Sequence, residues 1–169
     1  MDRLRNFGFL LNELSRRYVH RFEQRANQMS MTLPLCKVLA NLERNEGVSQ
    51  SKLAEITQIE PMAMVRILDR MEADGLVERK PDPADRRARS LNITAKAKPM
   101  LDEIWRIGDL TRAETFSGVT KAERAVFLDI LARVTANLRQ LEDSPVEATQ
   151  EVPVELADAR VVVAKRRAR

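Results

Sequence analysis

Residues 75–93, GLVERKPDPADRRARSLNI, hold two short runs suited to β-strands on either side of a dense group of arginines. The runs cover about 76–80 and 89–93, and the intervening PDPADRRA has two prolines and two aspartates, residues that favour turns. We therefore predict a β-hairpin with Arg86 and Arg87 at its tip. A solvated charged turn is the simpler explanation of this cluster, so the flanking sequence must decide.

Two helices joined by a turn are predicted immediately before the hairpin. The first covers about 49–58 with Ser49 as its capping residue, and the second, EPMAMVRILDRMEAD, begins at Pro61 and ends before Gly75. At about 100° per residue, the second helix has an inward apolar face and a more polar outward stripe. The inward residues are Met64, Leu68, Met71 and part of Val65, and the outward residues are Met62, Arg66, Asp69, Arg70 and Ala73.

This order is that of a helix-turn-helix, whose second helix enters the major groove of DNA. Met62 and Ala63 allow close approach to a thymine methyl group, while Arg66 can reach guanine or a phosphate. From the helix alone, ordinary solvated charges are the better explanation of Arg66 and Arg70. The hairpin shifts the balance, because arginines at its tip suit the negative potential of a narrow minor groove and Asp85 can brace one of them. Together the two features favour DNA binding.

Composition excludes several other classes of protein. The 169 residues are 44% hydrophobic and 32% charged, which fits one globular domain. The net charge of +4 is compatible with nucleic-acid binding but does not require it. No apolar run approaches the roughly 20 residues of a membrane span, and the N-terminus lacks a secretory signal, so we expect a cytoplasmic protein. With His20 as the sole histidine and no metal-spaced Cys/His cluster, neither an enzyme nor a metal or cofactor is expected.

Helical patterns dominate the remainder of the chain. We predict helices over 3–29, 32–46, 95–116 and about 120–142, with Thr32 capping the second of these. Pro99 moves the start of the third to near Lys98, and Thr120 with Glu123 forms a capping box for the fourth. Residues 143–169 lack a helical stripe and have a basic end. We predict a disordered tail there, either an inert extension or a basic arm that binds DNA without sequence preference.

The segment GVSQSKLAEITQIEPMAMVRILDRMEADGLVERKPDPADRRARSLNITAKAK closely resembles the winged helix-turn-helix of MarR-family transcriptional regulators, particularly the SlyA-like branch. Its strongest parts are VRILDRMEADGLVER and DPADRRARSLNIT, and the latter has the D-x-R-x-R wing pattern as Asp85, Arg87 and Arg89. The resemblance covers roughly 5–142. It implies a mainly α fold with a small β-hairpin wing, in which 1–31 and 95–142 dimerise and 32–94 form the winged helix-turn-helix.

The resemblance also implies a function and a set of DNA contacts. It implies a homodimeric, sequence-specific repressor that a small aromatic acid releases from a pseudo-palindromic operator in double-stranded DNA. The implied DNA-binding residues are Ser49, Gln50 and Ser51 at phosphates, Met62, Ala63, Arg66 and Arg70 on the recognition face, and Arg86, Arg87 and Arg89 in the wing, with Asp85 as a brace. Many members have Ser or Thr where this chain has Met62 and Ala63, so their operator sequences do not transfer to it.

Three alternatives stay open at this point. Tyr18, Arg17, His20 and Trp105 are conceivable effector-lining residues, but they are read equally well as core or interface. Cys36 is either a redox sensor or a packing residue, and its apolar neighbours favour packing. The winged helix could also bind a protein instead of DNA. The salt dependence of binding distinguishes a protein partner from DNA, because counterion release makes phosphate binding weaken steeply as the salt concentration rises.

Overall fold

The computed structural model describes residues 4–81, 89–142 and 144–145. Over these residues the chain is mainly helical with one antiparallel β-hairpin, which confirms the predicted fold class. The elements are α1 (Phe7–Gln28), α2 (Leu33–Arg44), α3 (Gln50–Thr57), α4 (Pro61–Ala73), β1 (Val77–Pro81), β2 (Arg89–Ile93), a 3-10 turn (Ala95–Ala97), α5 (Lys98–Thr115) and α6 (Lys121–Gln140). None of the described helices is long and apolar enough to cross a membrane.

The chain divides into two compact units after Gly118. The first unit contains α1 to α5 and the hairpin, and the second contains α6. The predicted division into dimerisation helices and a winged helix-turn-helix is a functional one, and it stays a prediction. Of the predicted tail, nearly all lies outside the described residues.

Side-chain caps set where several helices begin, as the sequence predicts. The hydroxyl of Thr32 accepts a hydrogen bond from the Leu35 backbone N–H at 3.4 Å, and so caps α2. Thr120 and Glu123 bond each other's backbone N–H groups at 3.2 and 2.9 Å, which completes a capping box on α6. At the other end of a helix, Gly75 leaves α4 with φ of +70°, a conformation that residues with a Cβ rarely adopt.

Among the described residues, one apolar core packs α3, α4 and the β-hairpin against α2 and α5. The inward face predicted for α4 is confirmed, since Met64, Leu68 and Met71 are almost completely buried. Burial of each such side chain stabilises the fold by about 1.5–3 kcal/mol, so the position of α4 is fixed from within. Other fully buried side chains in this core are Leu39, Leu42, Leu53, Leu91, Leu101 and Ile107.

The hairpin gains a third backbone partner that the sequence does not reveal. β1 pairs with β2 from Val77 opposite Ile93 to Pro81 opposite Arg89. On the other side of β2, the Gly47 N–H donates to the Leu91 carbonyl at 2.8 Å, and the Leu91 N–H donates to the Val48 carbonyl at 3.0 Å. The segment before α3 is therefore tied directly to the wing.

An ion-pair cluster joins α1 to α5 in the first unit. The Glu114 carboxylate accepts hydrogen bonds from Arg21 Nε at 2.8 Å and from the Arg25 guanidinium. These two hydrogen bonds lower the pKa of Glu114 from 4.5 to about 2. Glu114 is therefore ionised at any physiological pH, and the link between the two helices persists across that range.

Candidate nucleic-acid interface

The turn between α3 and α4 places the second helix against the first. α3 ends at Thr57, and the capping residue that follows, Gln58, has its backbone in the left-handed conformation with φ of 52°. The Ile59 N–H then donates back to the Ala54 carbonyl at 3.1 Å, which closes the helix end. Thr57 is buried, and its hydroxyl donates to the Leu53 carbonyl at 2.7 Å. The turn is thus built from local hydrogen bonds and needs no glycine.

Glu60 caps α4, a role that the sequence analysis does not assign. Its carboxylate accepts hydrogen bonds from the backbone N–H groups of Met62 at 3.0 Å and Ala63 at 2.8 Å. These two bonds lower the pKa of Glu60 below its ordinary value. The signal was an acidic residue directly before Pro61. Because Glu60 takes these backbone donors, Met62 and Ala63 face a partner only through their side chains.

The outward face of α4 lies where the sequence predicts it. The Met62 side chain is 60% exposed, and Ala63 is half-buried beside it. Arg66 is exposed and has no hydrogen-bond partner among residues 4–81 and 89–142, although its charge contributes to the lowered pKa of Glu60. Arg70 is exposed too, with its Nε as far as 3.9 Å from the Asp74 carboxylate. Such a surface pair contributes little, so both guanidinium groups are available to a ligand.

The start of α3 presents the three predicted polar residues. The Ser49 hydroxyl caps the helix by accepting from the Lys52 N–H at 3.3 Å, and it lies 3.1 Å from the Ser51 hydroxyl. Ser51 is exposed, whereas Ser49 and Gln50 are half-buried. The structure therefore brings all three to one helix end, and the cap still leaves Ser49 its hydroxyl proton to donate.

Asp69 and Glu72 bond an arginine outside their own helix. From the helix alone, the sequence suggests only ordinary solvated charges on this face. The structure instead directs both carboxylates to Arg79 of β1, with Asp69 Oδ1 at 2.7 Å from Arg79 Nη2 and Glu72 bonded to Nη1. The helix and the strand are separated by a turn, so helical spacing does not reveal this pairing. Arg79 is a functional candidate that the sequence analysis misses.

The wing is described only in its strands. The hairpin predicted at 76–80 and 89–93 is confirmed at 77–81 and 89–93. Arg89 is exposed at the first position of β2. Asp85, Arg86 and Arg87 lie outside the described residues, so their roles as brace and wing tip stay predictions.

A cavity of about 200 Å³ lies between α1, α2 and α5 in the first unit. Of the four conceivable effector-lining residues, Tyr18 and Trp105 line it, whereas Arg17 and His20 do not. Arg17 pairs instead with Glu13 at 2.7 Å on the exposed side of α1. The full lining is Tyr18, Val19, Phe22, Leu33, Cys36, Lys37, Ala40, Asn41, Ile104, Trp105, Gly108 and Arg112.

Arg112 is the cation of this cavity that the sequence analysis does not identify. Its guanidinium bonds the Asp109 carboxylate, which raises the pKa of Arg112 above its ordinary value. The group lies across Gly108, where an added Cβ would come within 3.1 Å of Arg112 Nη1. The indole N–H of Trp105, which also lines the cavity, donates to Glu43 at 2.6 Å. The cavity thus combines apolar and aromatic walls with the cations Lys37 and Arg112, of which Arg112 is held by Asp109.

Cys36 also lines the cavity, but its thiol has low reactivity. It is only 2% exposed, and burial raises the pKa of its thiol from 9.0 to about 11. A thiol with so high a pKa forms little of the reactive thiolate at neutral pH. The structure therefore supports the packing role over that of a redox sensor.

Comparison with known proteins gives a consistent result. A sequence model of the MarR family matches residues 31–88. Transcriptional regulator PA3341 is 30% identical, with a TM-score of 0.70 over 79% of this chain and 98% of its own. BpsR of Bordetella bronchiseptica, whose DNA binding is regulated by 6-hydroxynicotinic acid, is 25% identical, with a TM-score of 0.64 over 77% and 98%.

A mutant MarR from E. coli, solved in complex with operator DNA, shares the fold at 22% identity, with a TM-score of 0.62 over 75% of this chain and 91% of that one. The family and these neighbours are DNA-binding regulators and not enzymes, as the sequence predicts for this chain. The family match of the winged region, and the alignment at 30% identity over nearly all of PA3341, show that the chain belongs to the MarR family of transcriptional regulators.

Proposed function

We propose that the chain is a sequence-specific, DNA-binding repressor of the cytoplasm that acts as a homodimer and belongs to the SlyA-like branch. The observation that carries this proposal is the outward face of α4. It has two arginines, Arg66 and Arg70, without a strong partner among the described residues, on the opposite side of the helix from a fully buried apolar face. MarR of E. coli, which has the same fold, binds operator DNA in its crystal structure. The branch rests on VRILDRMEADGLVER and DPADRRARSLNIT alone.

In the proposed complex, different elements of the chain contact different parts of the DNA. α4 enters the major groove, where Arg66 binds guanine and the exposed Met62 packs on thymine methyl groups. Ser49, Gln50 and Ser51 donate to the adjacent phosphates from the start of α3. The tie between the segment before α3 and β2 keeps these phosphate contacts in register with the wing, which enters the flanking minor groove.

A homodimer is proposed because both terminal helices leave apolar side chains in water. On α1 the exposed set is Phe7, Phe9, Leu10, Leu11 and Leu14. On α6 it is Val126, Phe127, Leu128, Ile130, Leu131 and Leu138, and no residue of that helix is buried. Apolar surface of this extent is typical of an interface, and a twofold dimer would cover the same patch on both chains.

The cavity between α1, α2 and α5 is the proposed effector site. Its volume of about 200 Å³ and its aromatic walls fit a single aromatic ring between Tyr18 and Trp105. The Arg112 guanidinium is placed to bind a carboxylate at the edge of that ring. The regulation of BpsR by 6-hydroxynicotinic acid, an aromatic acid, supports this class of ligand.

Fluorescence anisotropy tests the DNA-binding proposal directly. The labelled probe is a duplex from the region upstream of the chain's own gene, with a scrambled duplex of equal length beside it at several salt concentrations. We expect saturable binding to the native duplex, with log K falling by about 0.9 per phosphate contact against log salt. Binding to neither duplex at low salt would refute the proposal and favour a protein partner.

Trp105 provides a built-in probe of the effector site, because it is the only tryptophan of the chain and lines the cavity. Salicylate and 6-hydroxynicotinic acid should quench its fluorescence on binding. Arg112→Gln should weaken that binding by about 10-fold or more, since a charge-assisted hydrogen bond contributes roughly 1.5–3 kcal/mol.

Arg17→Gln is the matched control, because it removes the same charge from α1 outside the cavity. Its affinity for either acid should equal that of the unmodified protein. If Arg112→Gln bound the acids as tightly as the control does, the carboxylate would lie elsewhere.

A further inference from the structure

We propose that Arg79 is a positioning residue for DNA recognition, which neutralises carboxylates on the recognition helix and clamps that helix to α3 and the wing. The inference rests on the proposed DNA-binding function and deepens it. It assigns a role to a residue on β1 that need not touch DNA itself.

The Arg79 side chain links three elements through its planar fork. One nitrogen, Nη2, lies 2.7 Å from Asp69 Oδ1 and 3.5 Å from Gln50 Oε1, while Nη1 bonds Glu72 Oε2. The backbone N–H of Arg79 also donates to Glu72 Oε1 at 3.3 Å. A guanidinium has donors in fixed directions, so it holds α3, α4 and β1 in one relative arrangement.

The burial of Arg79 distinguishes this cluster from an ordinary surface pair. The Arg79 side chain is only 21% exposed, whereas the Asp69 side chain is 60% exposed. A largely buried guanidinium requires its carboxylate partners, and removal of either side leaves an uncompensated charge. The cluster is therefore a fixed part of the structure, whereas the exposed Arg70–Asp74 pair at 3.9 Å is not.

The ion pair with Arg79 matters for DNA binding because the Asp69 carboxylate lies on the outward side of α4. Asp69 lies one helical turn after Arg66, on the stripe that faces the groove in the proposed complex. An unpaired carboxylate there would repel the phosphate backbone and compete for the arginine that reads bases. Arg79 cancels part of this negative charge without itself occupying the outward face.

The contact with Gln50 adds an effect on hydrogen bonding. The side-chain oxygen of Gln50 accepts from Arg79 Nη2. The amide N–H groups of Gln50 therefore remain available to donate hydrogen bonds to a ligand. Phosphate oxygens only accept hydrogen bonds, so this orientation is the productive one for a phosphate contact. Arg79 thus prepares a residue of α3 and a face of α4 for the same ligand.

The test compares four proteins on one duplex that the unmodified protein selects from a random-sequence library. The variants are Arg79→Gln, the triple variant Asp69→Asn/Glu72→Gln/Arg79→Gln, and Arg106→Gln as a control. Arg106 pairs with Glu103 on the exposed side of α5 at 2.7 Å, so its replacement makes the same charge change away from α4. Each Kd is measured across a salt series, at a temperature where circular dichroism shows every variant to be folded.

We expect Arg79→Gln to weaken binding of the selected duplex by about 10-fold or more, because two unpaired carboxylates then lie beside the DNA. The triple variant should recover most of that loss and keep the salt slope of the unmodified protein, and Arg106→Gln should bind normally. A merely structural role for Arg79 would lower the melting temperature but would leave the affinity of the folded protein unchanged.

Two results would overturn the inference while the proposed function survives. One is unchanged affinity in Arg79→Gln. The other is no recovery in the triple variant together with a flatter salt slope, which would make Arg79 a direct phosphate contact. If the unmodified protein selects no duplex at all, the proposed function itself fails, and the positioning role fails with it.

Discussion

Replacing Arg86 and Arg87 together with alanine should weaken operator binding by about 2–6 kcal/mol, at roughly 1–3 kcal/mol for each good contact. The expected loss is a factor of at least about 30 in Kd. The reason lies in the predicted wing: β1 ends at Pro81, β2 begins at Arg89, and the sequence between them contains both arginines, which are predicted to form its tip. A narrow minor groove concentrates negative potential, and a guanidinium inserted there gains most from it.

The measurement is anisotropy with the operator duplex, and the control is a double variant with the same loss of charge. Lys121→Ala/Arg124→Ala removes two cations from the exposed first turn of α6, far in sequence from the wing. It should bind nearly as the unmodified protein does, and sedimentation should give the same mass for all three proteins. Equal affinity in the wing variant and this control would remove the wing from the DNA-binding surface.

Local features of the sequence predict most of the fold because their causes are local. Thr32, Ser49 and Thr120 each cap the helix expected of them, since a cap depends only on the next few residues. The buried face of α4 follows from helical periodicity in the same way. The start of α5 at Lys98 follows from the placement of Pro99.

The features that sequence reasoning misses all depend on contacts between distant segments. Arg79 meets Asp69 and Glu72 only because the hairpin folds back on α4, and no spacing within one element encodes that. Arg112 reaches the cavity only because α5 packs against α1 and because Gly108 leaves room for the guanidinium. Sequence periodicity finds the faces of helices, whereas the partners of charged side chains require the assembled fold.

The two faces of α4 should respond to truncation in opposite ways. Leu68 is fully buried, so Leu68→Ala should lower the free energy of unfolding by about 2–5 kcal/mol through lost burial and the cavity left behind. Met62 is 60% exposed on the same helix, so Met62→Ala should change that free energy by less than about 0.5 kcal/mol. Met62→Ala should instead reduce affinity for duplexes that have thymine under this side chain.

Urea denaturation at one fixed protein concentration measures the stability of both variants, because the midpoint of a dimer depends on concentration. Anisotropy with paired duplexes, thymine in one and uracil in the other, isolates the methyl group that Met62 is proposed to contact. Unmodified protein should prefer thymine, and Met62→Ala should lose that preference while staying as stable as before. A large loss of stability in Met62→Ala would mean that the face seen as exposed is covered in solution, and that α4 does not present Met62 to DNA.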